Sequence, residues 1–273
     1  MPSHSDRIRD QFTRQAVPFS QAAPIRNEEA LARLVQMAGA GPDDTVLDVA
    51  CGPGLLGCAF APAVRHVTGI DATPAMIEQA RALQKSRGIA NLTWDLGEVP
   101  PLPYADGAFS IVTCRFSFHH MLDPLAVLKE MGRVCAPAGR VVVADMTPGA
   151  VNDRAFNAAE KLRDPSHVRA LPLEELLDLF SGAGLRVARA ESYRLDNELE
   201  DLLSRSFPEP GDADRLRQVY AGSVPGDALG IGIRQDGDKL RFSLPVSTIG
   251  ASRPQPVRLP EPSRRLPVLP RSH

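Results

Sequence analysis

Apolar residues between positions 26 and 146 recur with two periods in turn, which predicts a chain of alternating strands and helices. Short β-branched runs predict strands at 45–49, 66–71, 91–95, 109–114 and 140–146. Apolar residues three and four positions apart predict helices at 27–39, 55–61, 73–87 and 124–134. Strands separated by such helices indicate right-handed βαβ units and a parallel sheet with helices on both faces.

The two ends of the chain have different patterns. The C-terminal third predicts helices at 149–162, 171–184, 196–205 and 212–222, a strand at 185–195, and a β-hairpin within 229–252 that turns at Asp236-Gly237. Residues 254–273 contain six prolines and no regular period, so we expect a disordered tail there. Residues 1–25 are polar, and we expect Pro18 and Pro24 to interrupt any long helix.

Composition places the chain among ordinary globular proteins, with 43% hydrophobic and 23% charged residues. The absence of a bilayer-length apolar run and of a secretory h-region leads us to expect a cytoplasmic protein. The net charge of the chain is −2. Residues 254–273 contain four arginines and one glutamate, so the remainder of the chain is more acidic than the whole. This acidic character disfavours nucleic acid as a partner. The four cysteines lack zinc-site spacing, so no metal is expected.

The segment VLDVACGPGLLG (46–57) carries the clearest chemical signal. A strand leads directly into glycines and then into a helix, an arrangement that lets backbone approach a ligand and presents free N–H groups to it. Asp71 ends the next strand, where a carboxylate can bind the ribose hydroxyls of a nucleotide-like cofactor.

Two classes of cofactor fit this turn. Gly52, Gly54 and Gly57 match G-x-G-x-x-G, so an NAD(P)-dependent oxidoreductase is one alternative. Asp48 argues against it, because a carboxylate there is unhelpful beside a pyrophosphate but suits a cationic amino-acid cofactor. The stiffening of the turn by Pro53 also departs from the dinucleotide pattern.

Four segments in order resemble one family: VLDVACGPG (46–54), GIDATPAMIEQAR (69–81), LGEVPPLPYADGAFSIVTCRFSFHH (96–120) and LKEMGRVCAPAGRVVVAD (128–145). Over about residues 10–253 the chain is similar to class I S-adenosylmethionine-dependent methyltransferases of the ubiquinone/menaquinone-biosynthesis C-methyltransferase branch. The resemblance implies a Rossmann-like α/β fold whose seven-stranded, mostly parallel sheet ends in an antiparallel strand from the C-terminal hairpin. It divides the chain into a lid segment (1–25), a methyltransferase domain (26–253) and the tail (254–273).

The resemblance also implies cofactor-binding roles for S-adenosylmethionine. Asp71 would bind the ribose hydroxyls, Glu98 would face the adenine amino group in place of the family's usual Asp, and Arg115 would lie near the methionine moiety. The full set of implied cofactor residues is Asp48, Ala50, Cys51, Gly52, Gly54, Asp71, Ala72, Met76, Glu98, Val99, Cys114 and Arg115.

Acceptor-side residues are predicted from the same family geometry. His119 and His120 follow the fourth strand and are candidate general bases, although they can instead pack against the start of the next helix. Phe12, Gln15 and Phe19 are candidate lid residues. We expect a small organic acceptor with an O, N or C nucleophile and a monomer or homodimer. A non-catalytic S-adenosylmethionine-binding protein on the same fold, from another functional class, is the other alternative.

Overall fold

The architecture comes from a computed structural model that describes residues 3–254, so the predicted tail lies almost entirely outside the described residues. The helices are α1 (His4–Gln21), α2 (Glu28–Met37), α3 (Leu55–Phe60), α4 (Pro74–Ser86), α5 (Pro124–Val134), α6 (Asp153–Arg163), α7 (Leu173–Gly182), α8 (Leu199–Ser204) and α9 (Asp212–Ser223). The strands are β1 (Thr45–Val49), β2 (His66–Asp71), β3 (Leu92–Leu96), β4 (Phe109–Arg115), β5 (Cys135–Met146), β6 (Arg186–Glu198), β7 (Arg234–Asp236) and β8 (Lys239–Ser252). Short 3₁₀ turns occupy Ala61–Ala63 and Phe118–His120.

Seven strands form one sheet in the order β3-β2-β1-β4-β5-β8-β6, and the short β7 pairs with β8. The first five strands are parallel, whereas β8 runs antiparallel to both of its neighbours, β5 and β6. This confirms the predicted Rossmann-like α/β fold with an antiparallel strand from the C-terminal hairpin. The order reverses between β1 and β4, and the carboxyl ends of parallel strands at such a point form a crevice for ligands.

Alternating residues of the central strands enter two separate cores. Leu47 and Val49 of β1 face one side of the sheet, where α5 and α7 contribute residues such as Leu128 and Phe180. Val46 faces the other side, covered by α2, α3 and α4. Strands that are buried on both faces read as continuous apolar runs, which is why the sequence predicted them well. Among residues 3–254 no helix is both long and apolar enough to cross a bilayer.

The N-terminal segment differs from its prediction, because α1 is a helix of 18 residues that contains Pro18. Ser3 and Asp6 form a capping box that starts it, and Pro18 lies in its last turn, where few residues of helix follow. The helix packs against α4. Pro18 therefore lies where α1 ends and does not prevent the helix from forming.

Smaller differences concern element ends. The hairpin turns beside Asp236 as predicted, but β7 is only three residues long, and β5 begins at Cys135 instead of 140. Asn27 caps α2 by accepting a hydrogen bond from the Ala30 N–H, as its position indicated. Thr73 stands at the start of α4 but its side chain makes no capping bond.

The ring of Trp94 leaves little room for a Cβ atom at two glycines of the turn and at one glycine of β2. The Trp94 indole lies where a Cβ on Gly54 or Gly69 would come within 3 Å of it, and one on Gly57 would come within 3.1 Å. The indole N–H donates to Gln84 Oε1 over 2.7 Å, which fixes the ring. Part of the glycine pattern is thus required for packing behind the turn.

We expect Gly69→Ala to lower the free energy of unfolding by about 1–3 kcal/mol, because the added methyl group overpacks the fixed Trp94 ring and the Cys51 thiol. Chemical denaturation followed by circular dichroism measures the change. Gly222→Ala is the matched control, since a Cβ there meets nothing within 4 Å and helix α9 favours alanine. Equal stability of the two variants would contradict this account of the ring.

Candidate active site

A cavity of about 370 Å³ opens at the carboxyl ends of β1, β2 and β4, where the strand order reverses. Helix α1 forms its outer wall, and the glycine turn after β1 forms its floor. The sequence-predicted residues that line it are Phe12, Phe19, Asp48, Ala50, Cys51, Gly52, Asp71, Ala72, Met76, Glu98, Val99, Arg115 and His120. The fold therefore brings most of the predicted cofactor set to one place.

The turn after β1 directs its backbone toward this cavity. Ala50 and Gly52 have φ values of 53° and 52°, the left-handed region that glycine adopts without strain. No atom lies within 4 Å of a Cβ built on Gly52, so that face is open to a ligand. Gly54 instead packs against Trp94 and does not line the cavity.

Asp71 links the turn to β2. Its two carboxylate oxygens accept hydrogen bonds of 2.9 Å each from the Gly52 and Thr73 backbone N–H groups. Burial raises the pKa of this carboxyl group. Each oxygen has further acceptor capacity, so the carboxylate can still bind hydroxyl groups from the cavity.

Asp48 and Arg115 place opposite charges on the same wall. Asp48 is 1% exposed and accepts a hydrogen bond from the Gly57 N–H over 3.1 Å, and burial raises its pKa to about 7. Arg115 donates from Nη1 to the Ile25 carbonyl and stacks 4.4 Å over the Phe116 ring. Its Nε and Nη2 are buried and make no hydrogen bond of good geometry, although the Tyr193 hydroxyl lies close to the guanidinium. These orphaned donors are costly unless a ligand accepts from them.

The remaining predicted residues are divided between the wall and the interior. Glu98 forms an ion pair of 2.5 Å with Arg9 of α1 across the cavity mouth. Burial raises the pKa of the Cys51 and Cys114 thiols well above the usual range, so both behave as small apolar groups. Cys114 is completely buried in β4 and does not line the cavity.

A second cavity of about 70 Å³ lies beside the first. Phe12, Phe19, Ile25, Phe116 and His120 line both. Its other residues include Gln15, His119, Met146, Glu160, Arg163, Asp164, Leu195, Asn197, Leu202, Arg205, Ser206 and Leu244. Gln15 belongs to α1, and its amide donates to Asp164 over 3.1 Å.

The two predicted histidines have different partners. His119 Nδ1 lies 2.5 Å from Asp145 Oδ1, and both side chains are at most 5% exposed. His120 Nδ1 lies 3.1 Å from the Ser166 carbonyl oxygen. Burial lowers the pKa of His120 to about 3, so it is neutral at physiological pH.

Sequence reasoning missed Asp145, Arg163 and Asp164. Asp145 is the second-last residue of β5, which pairs with β4, so its position beside His119 could have been found from strand order. Arg163 and Asp164 close α6, and no local pattern distinguishes them from surface charges. The ion pairs of Arg163 with Glu160 and with Asp164 are nearly buried.

Comparison with known proteins identifies the family. A family model described as a methyltransferase domain matches residues 46–139. The uncharacterized methyltransferase YcgJ of Bacillus subtilis is 29% identical over 240 residues, covering 85% of this chain and 94% of the relative. Its crystal structure superposes with a TM-score of 0.78 and covers 84% of this chain and 99% of that one, at 25% identity. The chain belongs to the class I S-adenosylmethionine-dependent methyltransferases.

Within that family, the methyltransferase is also similar to the branch that its motifs resemble. The ubiquinone/menaquinone biosynthesis C-methyltransferase UbiE of Bdellovibrio bacteriovorus is 38% identical over 128 residues, which cover 46% of this chain and 53% of the relative. The matched methyltransferase domain includes the glycine turn, which favours the methyltransferase interpretation of that turn. None of these relatives supports the oxidoreductase or the non-catalytic alternative.

Proposed function

We propose that this methyltransferase binds S-adenosylmethionine in the main cavity and transfers its methyl group to a small organic acceptor in the second cavity. Phe116 and His120 line both cavities. The cavities are therefore adjacent, and the methyl group would move only a short distance from one to the other. The acceptor site is lined by residues of α1, α6 and α8 and has only about 70 Å³ of free space, which favours a small molecule over a macromolecule.

The pair formed by Asp48 and Arg115 carries this proposal. An amino-acid end has one ammonium and one carboxylate group, and a buried carboxylate with a nearby guanidinium complements both. Nε and Nη2 of Arg115 make no hydrogen bond of good geometry and are suitable donors for a carboxylate, and the buried Asp48 is a suitable partner for an ammonium group. A nicotinamide dinucleotide has no such zwitterion.

The nucleoside end fits the other side of the cavity. Asp71 would accept from the ribose hydroxyls while its backbone bonds to Gly52 and Thr73 hold it in place. Ala72, Met76 and Val99 supply the apolar surface for a base, and Glu98 stands at the mouth in its ion pair with Arg9. Opening of α1 must therefore accompany entry of the cofactor.

The contribution of the chain to catalysis is mainly positioning. S-adenosylmethionine supplies an activated methyl group when bound. Gly52, Asp71 and Arg115 would hold it against the turn, and α1 would exclude water. Holding the nucleophile in line with the methyl group can account for roughly 7–11 kcal/mol of the barrier.

Isothermal titration calorimetry tests the cofactor proposal. We expect S-adenosylmethionine and S-adenosylhomocysteine to bind in the micromolar range, and 5′-methylthioadenosine, which lacks the amino-acid end, at least tenfold more weakly. NADH serves as the control ligand and should give no heat. Equal affinity for S-adenosylhomocysteine and 5′-methylthioadenosine would contradict the assignment of Asp48 and Arg115.

Asp71→Ala is expected to weaken S-adenosylhomocysteine binding by about 1.5–3 kcal/mol, the range for hydrogen bonds to a charged group. The fold should be retained because Asp71 lies at the partly exposed end of β2. Calorimetry measures the affinity, with Asp178→Ala on the exposed face of α7 as the control. Unchanged affinity of Asp71→Ala would show that the ribose lies elsewhere.

A further inference from the structure

We infer that His119, oriented by Asp145, is the general base of this methyltransferase and that the acceptor is a neutral hydroxyl compound, a phenol or enol, which is methylated on oxygen. The inference rests on the proposed function, since it takes the second cavity as the acceptor site.

The tautomer of His119 follows from the contacts of Asp145. The Asp145 carboxylate accepts from the Met146 N–H over 2.6 Å and from the His119 N–H over 3.3 Å, so it is held as an acceptor. The ring nitrogen 2.5 Å away must then be the donor, which puts the imidazole proton on Nδ1. The lone pair of the neutral ring lies on Nε2, and His119 lines the second cavity.

The neighbouring histidines are unsuited to this role. His120 donates from Nδ1 to the Ser166 carbonyl, and its ring makes no hydrogen bond to a carboxylate, although Asp164 lies close enough to interact with it electrostatically. The His120 pKa of about 3 makes this ring too weak a base for a hydroxyl proton. His167 donates from Nε2 to Asn157 Oδ1 over 2.7 Å, and burial lowers its pKa to about 2. Only His119 of the three has a carboxylate as a hydrogen-bond partner.

The walls of the second cavity indicate a neutral, partly apolar acceptor. Phe12, Phe19 and Phe116 contribute aromatic surface, and Met146 and Leu244 contribute aliphatic surface. The carboxylates are already engaged, since Glu160 pairs with Arg163 at 2.7 Å and Asp164 binds Ser166 and Gln15. A cationic amine would find no free counter-charge there, whereas a hydroxyl needs one acceptor, which Nε2 supplies.

Methyl transfer to a hydroxyl group breaks an O–H bond and a carbon–sulfur bond and forms an N–H bond and an O–C bond. The O–H bond breaks, with the proton bound by His119 Nε2 and the electron pair left on oxygen. The oxygen forms a bond to the methyl carbon as the carbon–sulfur bond of the donor breaks, with its electron pair on sulfur. The imidazolium is stabilised by Asp145 until the proton is released to solvent. General-base help of this kind contributes typically 10²–10⁴-fold.

Nitrogen-15 NMR of the histidine side chains in the complex with S-adenosylhomocysteine tests the tautomer without an acceptor. We expect the His119 signals, assigned by their loss in His119→Asn, to show a protonated Nδ1 and an unprotonated Nε2 at pH 8. A proton on Nε2 would overturn the inference.

Methyl transfer from labelled S-adenosylmethionine to phenols of graded acidity, from 4-nitrophenol to 4-methylphenol, tests the chemistry. Aniline is the amine comparison, and mass spectrometry locates the label. We expect O-methylated products. His119→Asn should lose at least a hundredfold in rate with 4-methylphenol and much less with the already ionised 4-nitrophenol. His66→Asn, far from the site at the start of β2, is the control.

A pH profile separates the positioning role of Asp145 from a structural one. The titratable and charged groups around His119 are Asp145, His4, His120, Glu160, Arg163, Asp164, His167, Tyr193 and Arg205. Asp145→Asn removes the carboxylate that stabilises the imidazolium, so the acidic limb should move to lower pH and the plateau rate should fall at least tenfold. A profile that keeps its shape would overturn the role of Asp145.

Other results of the methyl-transfer experiment would overturn the substrate class or the role of His119. Label on aniline or on ring carbon, or no phenol methylated while S-adenosylmethionine binds normally, would overturn the hydroxyl class. Equal loss in His119→Asn for all phenols would overturn the role of His119 as a base. Failure to bind S-adenosylmethionine at all would instead contradict the proposed function.

Discussion

Replacement of Arg115 by methionine is expected to weaken S-adenosylhomocysteine binding at least a hundredfold and to leave the ligand-free protein folded but somewhat less stable. The guanidinium would donate two charge-assisted hydrogen bonds to the carboxylate of the ligand, each worth about 1.5–3 kcal/mol. In the absence of ligand, its Nε and Nη2 are buried and make no hydrogen bond of good geometry. An apolar side chain of similar length removes that cost. It also removes the hydrogen bond to the Ile25 carbonyl and leaves the buried Asp48 carboxylate without the nearby guanidinium, and loss of one partner of a buried charge pair is destabilising.

Calorimetry and thermal denaturation together test this expectation. Arg115→Met should also remove the preference for S-adenosylhomocysteine over 5′-methylthioadenosine, because only the former has a carboxylate. Arg65→Met is the matched control, since Arg65 is exposed before β2, at the opposite end of the sheet. A variant that binds normally but melts several degrees lower would mean that Arg115 has a purely structural role.

The sequence predicted the parallel half of the sheet because its signals are local. Each strand from β1 to β5 is a short apolar run that ends in a turn, and each helix between them has its own apolar face. Helix α1 was the exception, since its stability comes from a capping box and from packing on α4, which outweigh one proline in the last turn.

The candidate site was predictable only where it follows the strand ends. Gly52 and Asp71 occupy the carboxyl ends of neighbouring strands, so topology alone brings them together. The contact between Arg9 and Glu98 joins residues 89 positions apart, and that between Gln15 and Asp164 joins residues 149 apart. Such pairs depend on how α1 and α6 pack over the sheet, which no local pattern encodes.

Asp48→Asn is expected to stabilise the ligand-free protein at pH 8 and to weaken cofactor binding. The folded-state pKa of Asp48 is about 7, against 3.8 for an unperturbed aspartate. A raised pKa means that the ionised carboxylate is penalised in the fold. The penalty is absent below about pH 4, where the group is protonated in both states, and it is complete above pH 7. It amounts to at most about 4 kcal/mol at 1.36 kcal/mol per pKa unit.

Urea denaturation at pH 4 and pH 8 measures this difference. The stability gain of Asp48→Asn over wild type should be largest at pH 8 and should vanish near pH 4. Asp43→Asn, exposed before the other end of β1, should show no such dependence. A gain that is the same at both pH values would mean that the Asp48 carboxylate is not penalised by burial.

The same substitution should change how binding depends on pH. In wild type, the affinity for S-adenosylhomocysteine should fall as pH drops below about 7, because protonated Asp48 no longer attracts the ammonium group. Asp48→Asn should bind about tenfold to a hundredfold more weakly at pH 7.5 and should lack this acidic limb. A fold that is destabilised by an ionised group at neutral pH, yet binds its ligand through that group, has exchanged stability for affinity. If the loss of affinity at low pH persists in Asp48→Asn, another group must cause that loss. Burial also raises the pKa of Asp71, so Asp71 would then be the residue to replace.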